Sequence, residues 1–436
     1  MAVKAYKYRI YPNREQQQKI LMFCGCARKV YNLLIGWWRD SYKKYKEDGE
    51  AFEKTPDYTS FKSMPEYSYM KQCDAVALQQ ARKHFEDAIT NFLKDKKKGF
   101  PKFKRKGVSK YAYTTFNNNG GNIRISDDSK HIKLPKLGMV KIRLHRCFCG
   151  VIKSVNVSMT KSGNFYVSLT VETGENDKPL FNRELRASNP SVVGLDMSMS
   201  SFVVSSDESD MSKTKYVRLQ RKNAKKLRKL QKKISRKKLV GTGEYITNRK
   251  GMKVEIKELS KNREKARKKY ARFAEHVANQ RRDFLIKTAL YFVRKYDVIV
   301  LEDIDMAAMA KGLNLGKSVH DLGFGEFREW LEHEGRKYDC YIHYVDKWFA
   351  SSKLCNSCGY KNGELKLSDR EWVCPECGER HDRDVNAAKN LRNEFLRQYN
   401  TAGTAGIQAC GDGTSTLRET VARVLSAKQE AAKSLA

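Results

Sequence analysis

The sequence predicts an α+β protein of several domains, and three features of the chain carry that prediction. A length of 436 residues with 40% hydrophobic residues is sufficient for two or three domains with buried cores. Short runs of alternating hydrophobic residues, punctuated by Asn, Gly and Asp, indicate a small antiparallel barrel in the first half. After residue 190 the pattern changes to continuous hydrophobic strands between strongly charged helices.

The first half begins with a strand and two helices. Residues 3–11 alternate and predict a strand, Pro12 ends it, and Asn13 is placed to cap a helix that starts at Arg14. Residues 47–68 are rich in Asp, Gly, Pro and Ser, which predicts a loop, and residues 75–94 predict a second amphipathic helix. We interpret the two helices as an insertion into the β-domain.

The β-domain resumes after a basic loop, residues 96–106, that carries Phe100 and Phe103. Six strands are predicted there, over residues 111–116, 123–125, 132–134, 140–144, 152–159 and 165–171. The polar segment 174–190 is expected to be a linker.

The second half contains three predicted strands and a long basic helical region. Residues 192–196 form a buried strand with a hairpin partner at 201–205, and further strands are expected at 298–303 and 340–345. Residues 219–296 predict an αα-hairpin that turns at Gly241–Gly243 and carries about twenty Lys and Arg on its polar face. Helices are predicted at 324–338 and 385–397.

The charge balance of the chain indicates a polyanionic partner. There are 86 Lys and Arg against 50 Asp and Glu, so the formal net charge is +36. Self-repulsion of this size destabilises a folded chain unless a polyanion neutralises it, so the expected partner is nucleic acid. A membrane surface is the weaker explanation, because no amphipathic lipid-binding stretch stands out.

Several features that the sequence lacks narrow the class of protein. No long apolar window and no signal-type N-terminus are found, so we expect a cytoplasmic protein (nucleoid-associated if the source is prokaryotic) that does not contact a membrane. The 11 cysteines are then not a disulfide framework, and Cys24, Cys26, Cys147 and Cys149 are predicted to be buried thiols. No phosphate-binding Walker loop and no Gly-x-Ser-x-Gly motif occur, which argues against nucleotide hydrolysis and serine acyl transfer.

Four cysteines have the spacing of a zinc site: Cys355, Cys358, Cys374 and Cys377. Two Cys-x-x-Cys pairs supply four thiolates from two tight turns, as a tetrahedral zinc requires. A glycine follows each pair, where the turn needs positive φ. Because all four positions are filled by protein ligands, one structural Zn²⁺ is predicted rather than a catalytic one.

Three acidic residues form the second candidate site. Asp196 and Glu302 follow buried strands, and Asp384 stands at the start of a helix. Carboxylates that converge repel one another unless cations lie between them, and two Mg²⁺ ions about 4 Å apart would serve a phosphodiester reaction. The residues alone leave a second interpretation open, in which these are unrelated surface acids and Asp384 is a helix N-cap.

The chain resembles the TnpB family, also called OrfB, which accompanies insertion sequences and is related to type V CRISPR effectors. The resemblance covers nearly the whole length. Its most specific motifs are SSKxCxxCG at residues 351–359, CxxCG at 374–378 and HDRDxNAA at 381–388, with support from Gly194-x-Asp196 and Glu302-Asp303. One departure is the Met-Ser-Met that follows Asp196, where the family more commonly has Leu-Gly.

The resemblance implies a domain organisation. Residues 186–436 would form an RNase H-like (RuvC) nuclease domain, with the basic helical hairpin at 216–296 and a zinc knuckle inserted at 350–380. Residues 1–12 and 96–185 would form a wedge β-barrel, and residues 13–95 an inserted helical recognition lobe.

The resemblance also implies an activity. Family members bind a guide RNA and cut double-stranded DNA next to a short flanking motif, and Asp196, Glu302 and Asp384 fall on their three catalytic, Mg²⁺-binding positions. Candidate nucleic-acid contacts on matching or basic segments are Gln79, Gln80, Lys102, Lys104, Arg105, Arg236 and Lys237. The alternatives are a nuclease-inactive nucleic-acid-binding regulator and a transposase that acts on transposon ends. Protein partners are not predicted.

Overall fold

The computed structural model describes residues 2–49, 51, 55–117, 121–173, 190–207, 213–214, 218–247, 253–305, 308, 316–366 and 368–404. The chain divides into two compact units, Met1–Asp177 and Lys178–Ala436. Within the described part of the chain, no helix is both long enough and apolar enough to cross a membrane.

The first unit begins with strand β1 (Ala2–Tyr11) and helix α1 (Arg14–Asp48). Asn13 caps α1 as predicted: its Oδ1 accepts a hydrogen bond of 2.8 Å from the backbone N of Gln16. The Gln16 side chain in turn accepts one of 3.0 Å from the backbone N of Asn13, which completes a capping box. The predicted start of the helix is therefore confirmed.

The segment predicted as a loop at residues 47–68 is partly helical, which corrects that prediction. It contains helix α2 (Tyr58–Ser63), followed by a 3₁₀ helix (Pro65–Gln72). Phe61 and Met70 are buried there, and their packing into the core outweighs the weak helix propensity of the surrounding Pro and Ser. Helix α3 (Ala75–Lys94) has the bounds that the sequence predicted.

A seven-stranded antiparallel sheet completes the first unit. The N-terminal strand β1 lies in its middle, between two strands that come much later in the chain. Its other strands are β2 (Tyr111–Phe116), β3 (Arg124–Ile125), β4 (His131–Leu134), β5 (Gly138–Arg143), β6 (Val151–Met159) and β7 (Phe165–Thr173). The order is β2-β6-β7-β1-β5-β4-β3. All six predicted strands are present. Among the described residues no backbone pairing joins the two edge strands, β2 and β3, so strand pairing does not close this sheet into the barrel that was predicted.

For two cysteines of the first unit, the prediction that they are buried is wrong. Cys24 and Cys26 are buried as expected, but Cys147 and Cys149 are exposed. Phe148, between them, packs instead, with its ring centroid 5.4 Å from that of Tyr6. Because side chains alternate in direction along an extended chain, the two thiols on either side of Phe148 face solvent.

A five-stranded sheet forms the centre of the second unit. Its strands are β8 (Val192–Asp196), β9 (Val203–Ser205), β10 (Lys213–Thr214), β13 (Val298–Glu302) and β14 (Tyr341–Val345), in the order β10-β9-β8-β13-β14. β13 pairs in parallel with both β8 and β14, and β9 is antiparallel to β8. The predicted strands are confirmed, and the parallel pairs bring their carboxyl ends to one edge of the sheet.

The basic helical region differs from its prediction at the tip. Helices α4 (Leu219–Ser235) and α5 (Lys261–Lys295) are joined through an antiparallel pair of strands, β11 (Leu239–Thr247) and β12 (Lys253–Leu259). The predicted turn at Gly241–Gly243 is therefore wrong: these residues lie inside β11, where the pairing register shifts between Gly241 and Tyr245. Val240, Tyr245 and Ile246 favour a strand, and the glycines accommodate the irregular register.

Five elements remain in the described part of the second unit. They are helices α6 (Gly316–Leu322), α7 (Phe324–Tyr338) and α8 (Arg383–Thr404) and the strand pair β15 (Glu371–Val373) and β16 (Arg380–Asp382). α8 packs against β8, with Leu391 and Phe395 fully buried. The predicted helices at 324–338 and 385–397 are confirmed.

Candidate active site and metal centre

Asp196, Glu302 and Asp384 are brought together at the carboxyl edge of the five-stranded sheet. Asp196 is the last residue of β8 and Glu302 the last of β13. The register pairs Leu195 with Leu301, so the two acids follow neighbouring positions. Asp384 lies in the first turn of α8, the helix that packs on β8. The residues that the sequence singled out separately therefore share one site.

The electrostatics of Asp196 reflect this convergence. Burial, followed by the charges of Asp384 and Glu302, raises the pKa of its carboxyl to about 7, against the opposite effect of Arg383 and Arg370. Burial also raises the pKa of Glu302. Such a cluster is unfavourable without a cation, as expected of carboxylates that share a binding site.

Each of the other two carboxylates is held by a serine hydroxyl. The Oγ of Ser198 donates a hydrogen bond of 2.7 Å to Oδ2 of Asp384, and Arg370 Nη1 lies 3.5 Å from Oδ1. Ser351 donates a hydrogen bond to Glu302, which lowers the pKa of that carboxyl against the effect of burial. Ser198 and Ser351 are both buried, so these contacts fix the carboxylates in place.

Asp384 is not the N-cap of its helix, although the sequence alone favoured that role. The cap is Asp382, whose Oδ1 accepts hydrogen bonds of 3.1 Å from the backbone N of both Asp384 and Val385. Because the helix end is already satisfied by Asp382, the Asp384 side chain can face the cluster.

The four cysteines fit a zinc ion closely. Sγ of Cys355 is 3.6 Å from that of Cys377, and Sγ of Cys358 is 3.6 Å from that of Cys374. A tetrahedral zinc with Zn–S distances of about 2.3 Å needs its sulfurs about 3.8 Å apart. Gly359 and Gly378 have φ of 79° and 74°, as predicted for the two turns.

Among the described residues, these cysteines are the only group of three or more His, Cys, Asp or Glu side chains with all ligand atoms within 4.8 Å of one another. The three carboxylates are spaced more widely. Their donor atoms are all carboxylate oxygens, the ligands that Mg²⁺ prefers.

Three residues that follow the knuckle contact the four-cysteine site, and the sequence analysis assigned no role there to two of them, Asn386 and Asn390. His381 is buried, and its Nε2 lies 3.1 Å from Sγ of Cys355. Asn386 and Asn390, on α8, are also buried and bond the backbone beside Cys355. Their spacing of four residues places both on one face of α8, which is the signal that the sequence offered.

The candidate nucleic-acid contacts lie in both units. Gln79, Lys102 and Arg105 in the first unit and Arg236 and Lys237 in the second are exposed, and Gln80 is half-buried. Lys104 is different: its Nζ lies 3.7 Å from the centroid of the Tyr31 ring, and burial lowers its pKa. Its backbone also exchanges hydrogen bonds with the side chain of Asn32, so Lys104 anchors the basic loop to α1.

A basic cleft of about 730 Å³, which we call the hairpin cleft, lies between α4 and α5. Its lining residues are Lys226, Leu230, Lys265, Lys268, Lys269, Arg272, Phe273 and His276. The Nζ of Lys226 lies 4.1 Å from the centroid of the Phe273 ring. Cationic and apolar side chains together suit a nucleotide, because its phosphate is anionic and its base can stack on an aromatic ring.

Three family models match the chain. One described as a helix-turn-helix domain of OrfB proteins covers residues 1–47, where the structure has a strand followed by one uninterrupted helix. A second, described as "Probable transposase" of the OrfB type, covers residues 168–312. The third, a Cas12f1-like TNB domain, covers residues 324–391, which include the four cysteines.

The fold resembles that of a solved Cas12f1 structure. A Cas12f1 structure, solved by cryo-EM as a complex with single-guide RNA and target DNA, superposes with a TM-score of 0.50 at 12% identity, over 90% of this chain and 99% of that one.

Two proteins that are similar in sequence over nearly the whole chain show the family to which it belongs. A protein of Streptomyces pristinaespiralis, provisionally named RNA-guided DNA endonuclease, is 31% identical over 95% of this chain and 93% of its own length. InsQ of Escherichia coli K12, provisionally named in the same way, is 28% identical over 94% of each chain. The chain belongs to the TnpB/OrfB family.

Proposed function

We propose that this protein is an RNA-guided endonuclease that cuts double-stranded DNA next to a short flanking motif. The observation that carries the proposal is the convergence of Asp196, Glu302 and Asp384 at one sheet edge. Their negative charges repel one another there unless a cation is bound. The names of the relatives support the same activity.

The proposed reaction is hydrolysis of a phosphodiester. Two bound Mg²⁺ ions would supply activation of the attacking water and stabilisation of the leaving 3′-oxygen. The three carboxylates would hold these ions, Ser198 would fix Asp384, and Ser351 would fix Glu302. The parallel strands β8 and β13, with helix α8 packed against β8, give these side chains the fixed positions that such chemistry requires.

We assign the remaining parts by the same reasoning. Residues 186–436 would be a RuvC-like nuclease domain with the knuckle, whose Zn²⁺ stabilises its fold and takes no part in the reaction. Residues 1–12 and 96–185 would be the wedge domain around the recognition lobe, 13–95. The division of the chain after Asp177 supports a boundary near residue 185.

Guide and target recognition would rest on the exposed basic residues. Base pairing with the guide RNA would supply sequence specificity, and the protein would bind mainly the backbone and read the flanking motif. Gln79, Lys102 and Arg105 would contact nucleic acid from the first unit, and Arg236, Lys237 and the hairpin cleft from the second.

The test is cleavage by the protein loaded with its co-purified RNA. Asp196→Ala and Glu302→Ala are expected to abolish cutting of a plasmid library with randomised flanks, while the bound RNA is retained. Asp303→Ala is the matched control, because Asp303 follows Glu302 directly but is exposed and paired with Arg328 at 2.8 Å. Full cleavage by either of the first two variants would falsify the assignment of the site.

A transposase is the second candidate, favoured by the description of the family model over residues 168–312. Strand transfer on transposon ends would not need RNA. Treatment with ribonuclease before the assay therefore separates the two: it should eliminate guided cleavage and leave strand transfer intact.

A further inference from the structure

We infer that Asn386 and Asn390 are positioning residues that couple the four-cysteine site to the acidic cluster. Zinc in the knuckle would then set the affinity of the carboxylates for their metal ions. The inference rests on the proposed function, because it takes the acidic cluster to be a metal site.

Asn386 connects α8 to the first Cys-x-x-Cys turn. Its Oδ1 accepts hydrogen bonds from the backbone N of Asn356 at 3.0 Å and from the Asn356 side chain at 2.9 Å. Its Nδ2 donates a hydrogen bond of 2.6 Å to the carbonyl of Leu354. Leu354 and Asn356 flank Cys355, so Asn386 grips the turn on both sides of a zinc ligand.

Asn390, one helical turn further on, connects α8 to the segment that precedes Cys355. Its Nδ2 donates hydrogen bonds of 2.7 Å to the carbonyls of both Leu354 and Ser351. The hydroxyl of Ser351 donates to Glu302. A continuous chain of hydrogen bonds therefore runs from the zinc ligand segment through α8 to one of the three carboxylates.

The same helix carries a second carboxylate. Asp384 lies two residues before Asn386 in the first turn of α8, where a small movement of the helix end displaces its side chain. Asn386 and Asn390 are only 1% and 6% exposed, so no water can replace their contacts without a rearrangement. If the Cys355 turn relaxes on loss of zinc, Asn386 loses its partners and both Asp384 and Glu302 lose support.

The test measures metal binding rather than cleavage. Full-length protein with its bound RNA is titrated with Mn²⁺, and free Mn²⁺ is followed by electron paramagnetic resonance. Sites on the RNA are subtracted by means of an Asp196→Ala protein that carries the same RNA. Zinc content is measured in parallel by mass spectrometry.

Asn390→Ala is expected to retain one zinc and to weaken Mn²⁺ binding at the acidic cluster about tenfold, the lower end for loss of an outer contact to a metal site. Asn393→Ala is the matched control, because Asn393 is exposed on the same helix, and should bind Mn²⁺ as the unmodified protein does. Removal of zinc from the unmodified protein with a chelator should weaken Mn²⁺ binding by a similar factor.

Removal of zinc from the Asn390→Ala protein should weaken Mn²⁺ binding little further, because the hydrogen bonds between α8 and the Cys355 segment are already lost. Unchanged Mn²⁺ affinity after zinc removal from the unmodified protein would overturn the coupling, whether or not the variant folds. Wild-type affinity in a zinc-containing Asn390→Ala protein would overturn it as well. If Asp196→Ala itself fails to reduce Mn²⁺ binding, the acidic metal site of the proposed function is wrong, which is a separate result.

Discussion

Gly194 determines, as a single residue, how closely the helix that bears Asp384 approaches the sheet. A Cβ at this position would lie 2.0 Å from the carbonyl O of Ala388 and 2.8 Å from the backbone N of Arg392. Both atoms belong to the backbone of α8, which cannot move aside as a flexible side chain can. Gly194 is therefore a requirement of the site, two residues before Asp196.

Gly194→Ala is expected to destabilise the protein by at least the 1–3 kcal/mol or so typical of overpacking, because α8 must shift away from β8. Urea denaturation of the full chain measures this change. Gly325→Ala is the control: its added Cβ meets no atom within 4 Å, and it lies in helix α7, where alanine is the better residue. Equal denaturation midpoints for the two variants would show that α8 does not need this close approach.

The knuckle is the element for which sequence reasoning went furthest. The spacing of the four cysteines defines both turns, because Cys-x-x-Cys leaves few backbone conformations that direct two sulfurs to one ion. The anchoring of the knuckle could not be predicted in the same way. The motif at residues 381–388 includes Asn386, but the partners of Asn386 and Asn390, Asn356 and Leu354, are close to them only in the fold.

Other elements also show that features set by neighbouring residues were predicted correctly, whereas features set by residues distant in the chain were not. The start of α1 depends on a hydrogen bond between Asn13 and Gln16, which are only three residues apart, and it was predicted correctly. The strands β11 and β12 and the helix α2 depend on partners further along the chain, and their prediction as a turn and a loop failed. The sequence alone also favoured Asp384 as the N-cap of α8. Only the hydrogen bonds in the structure identify Asp382 as the cap instead.

Cys374→Ser is expected to remove zinc and to unfold the knuckle, because metal binding and folding are coupled in such small units. Limited proteolysis should then cut between residues 355 and 380, and mass spectrometry should find no zinc. Cys147→Ser, which changes an exposed thiol in the other unit, should keep the ion and resist the protease. Intact, zinc-free wild-type protein would contradict the assignment of the site.

At the scale of the whole molecule, the net charge of +36 sets how the protein responds to salt. Each phosphate that a lysine neutralises releases counterions, so the affinity for nucleic acid falls with the logarithm of the salt concentration. The hairpin cleft is expected to supply several such contacts, because among the described residues no carboxylate pairs with Lys265 or Lys269 within 4.0 Å.

The combined variant Lys265→Gln, Lys269→Gln is therefore expected to weaken RNA binding and to reduce the slope of log affinity against log salt by about 1–2, roughly 0.7–0.9 for each lost phosphate contact. Filter binding of the co-purified RNA over a series of salt concentrations gives this slope. Lys287→Gln is the matched control on α5, because Lys287 is already paired with Asp283 at 2.8 Å. If the combined variant retains the wild-type slope, the lysines of the cleft do not contact phosphates, and the excess charge must act through the exposed residues of the basic loop and of the end of α4. Substitution of Lys102 and Arg105 would then be expected to reduce the slope instead.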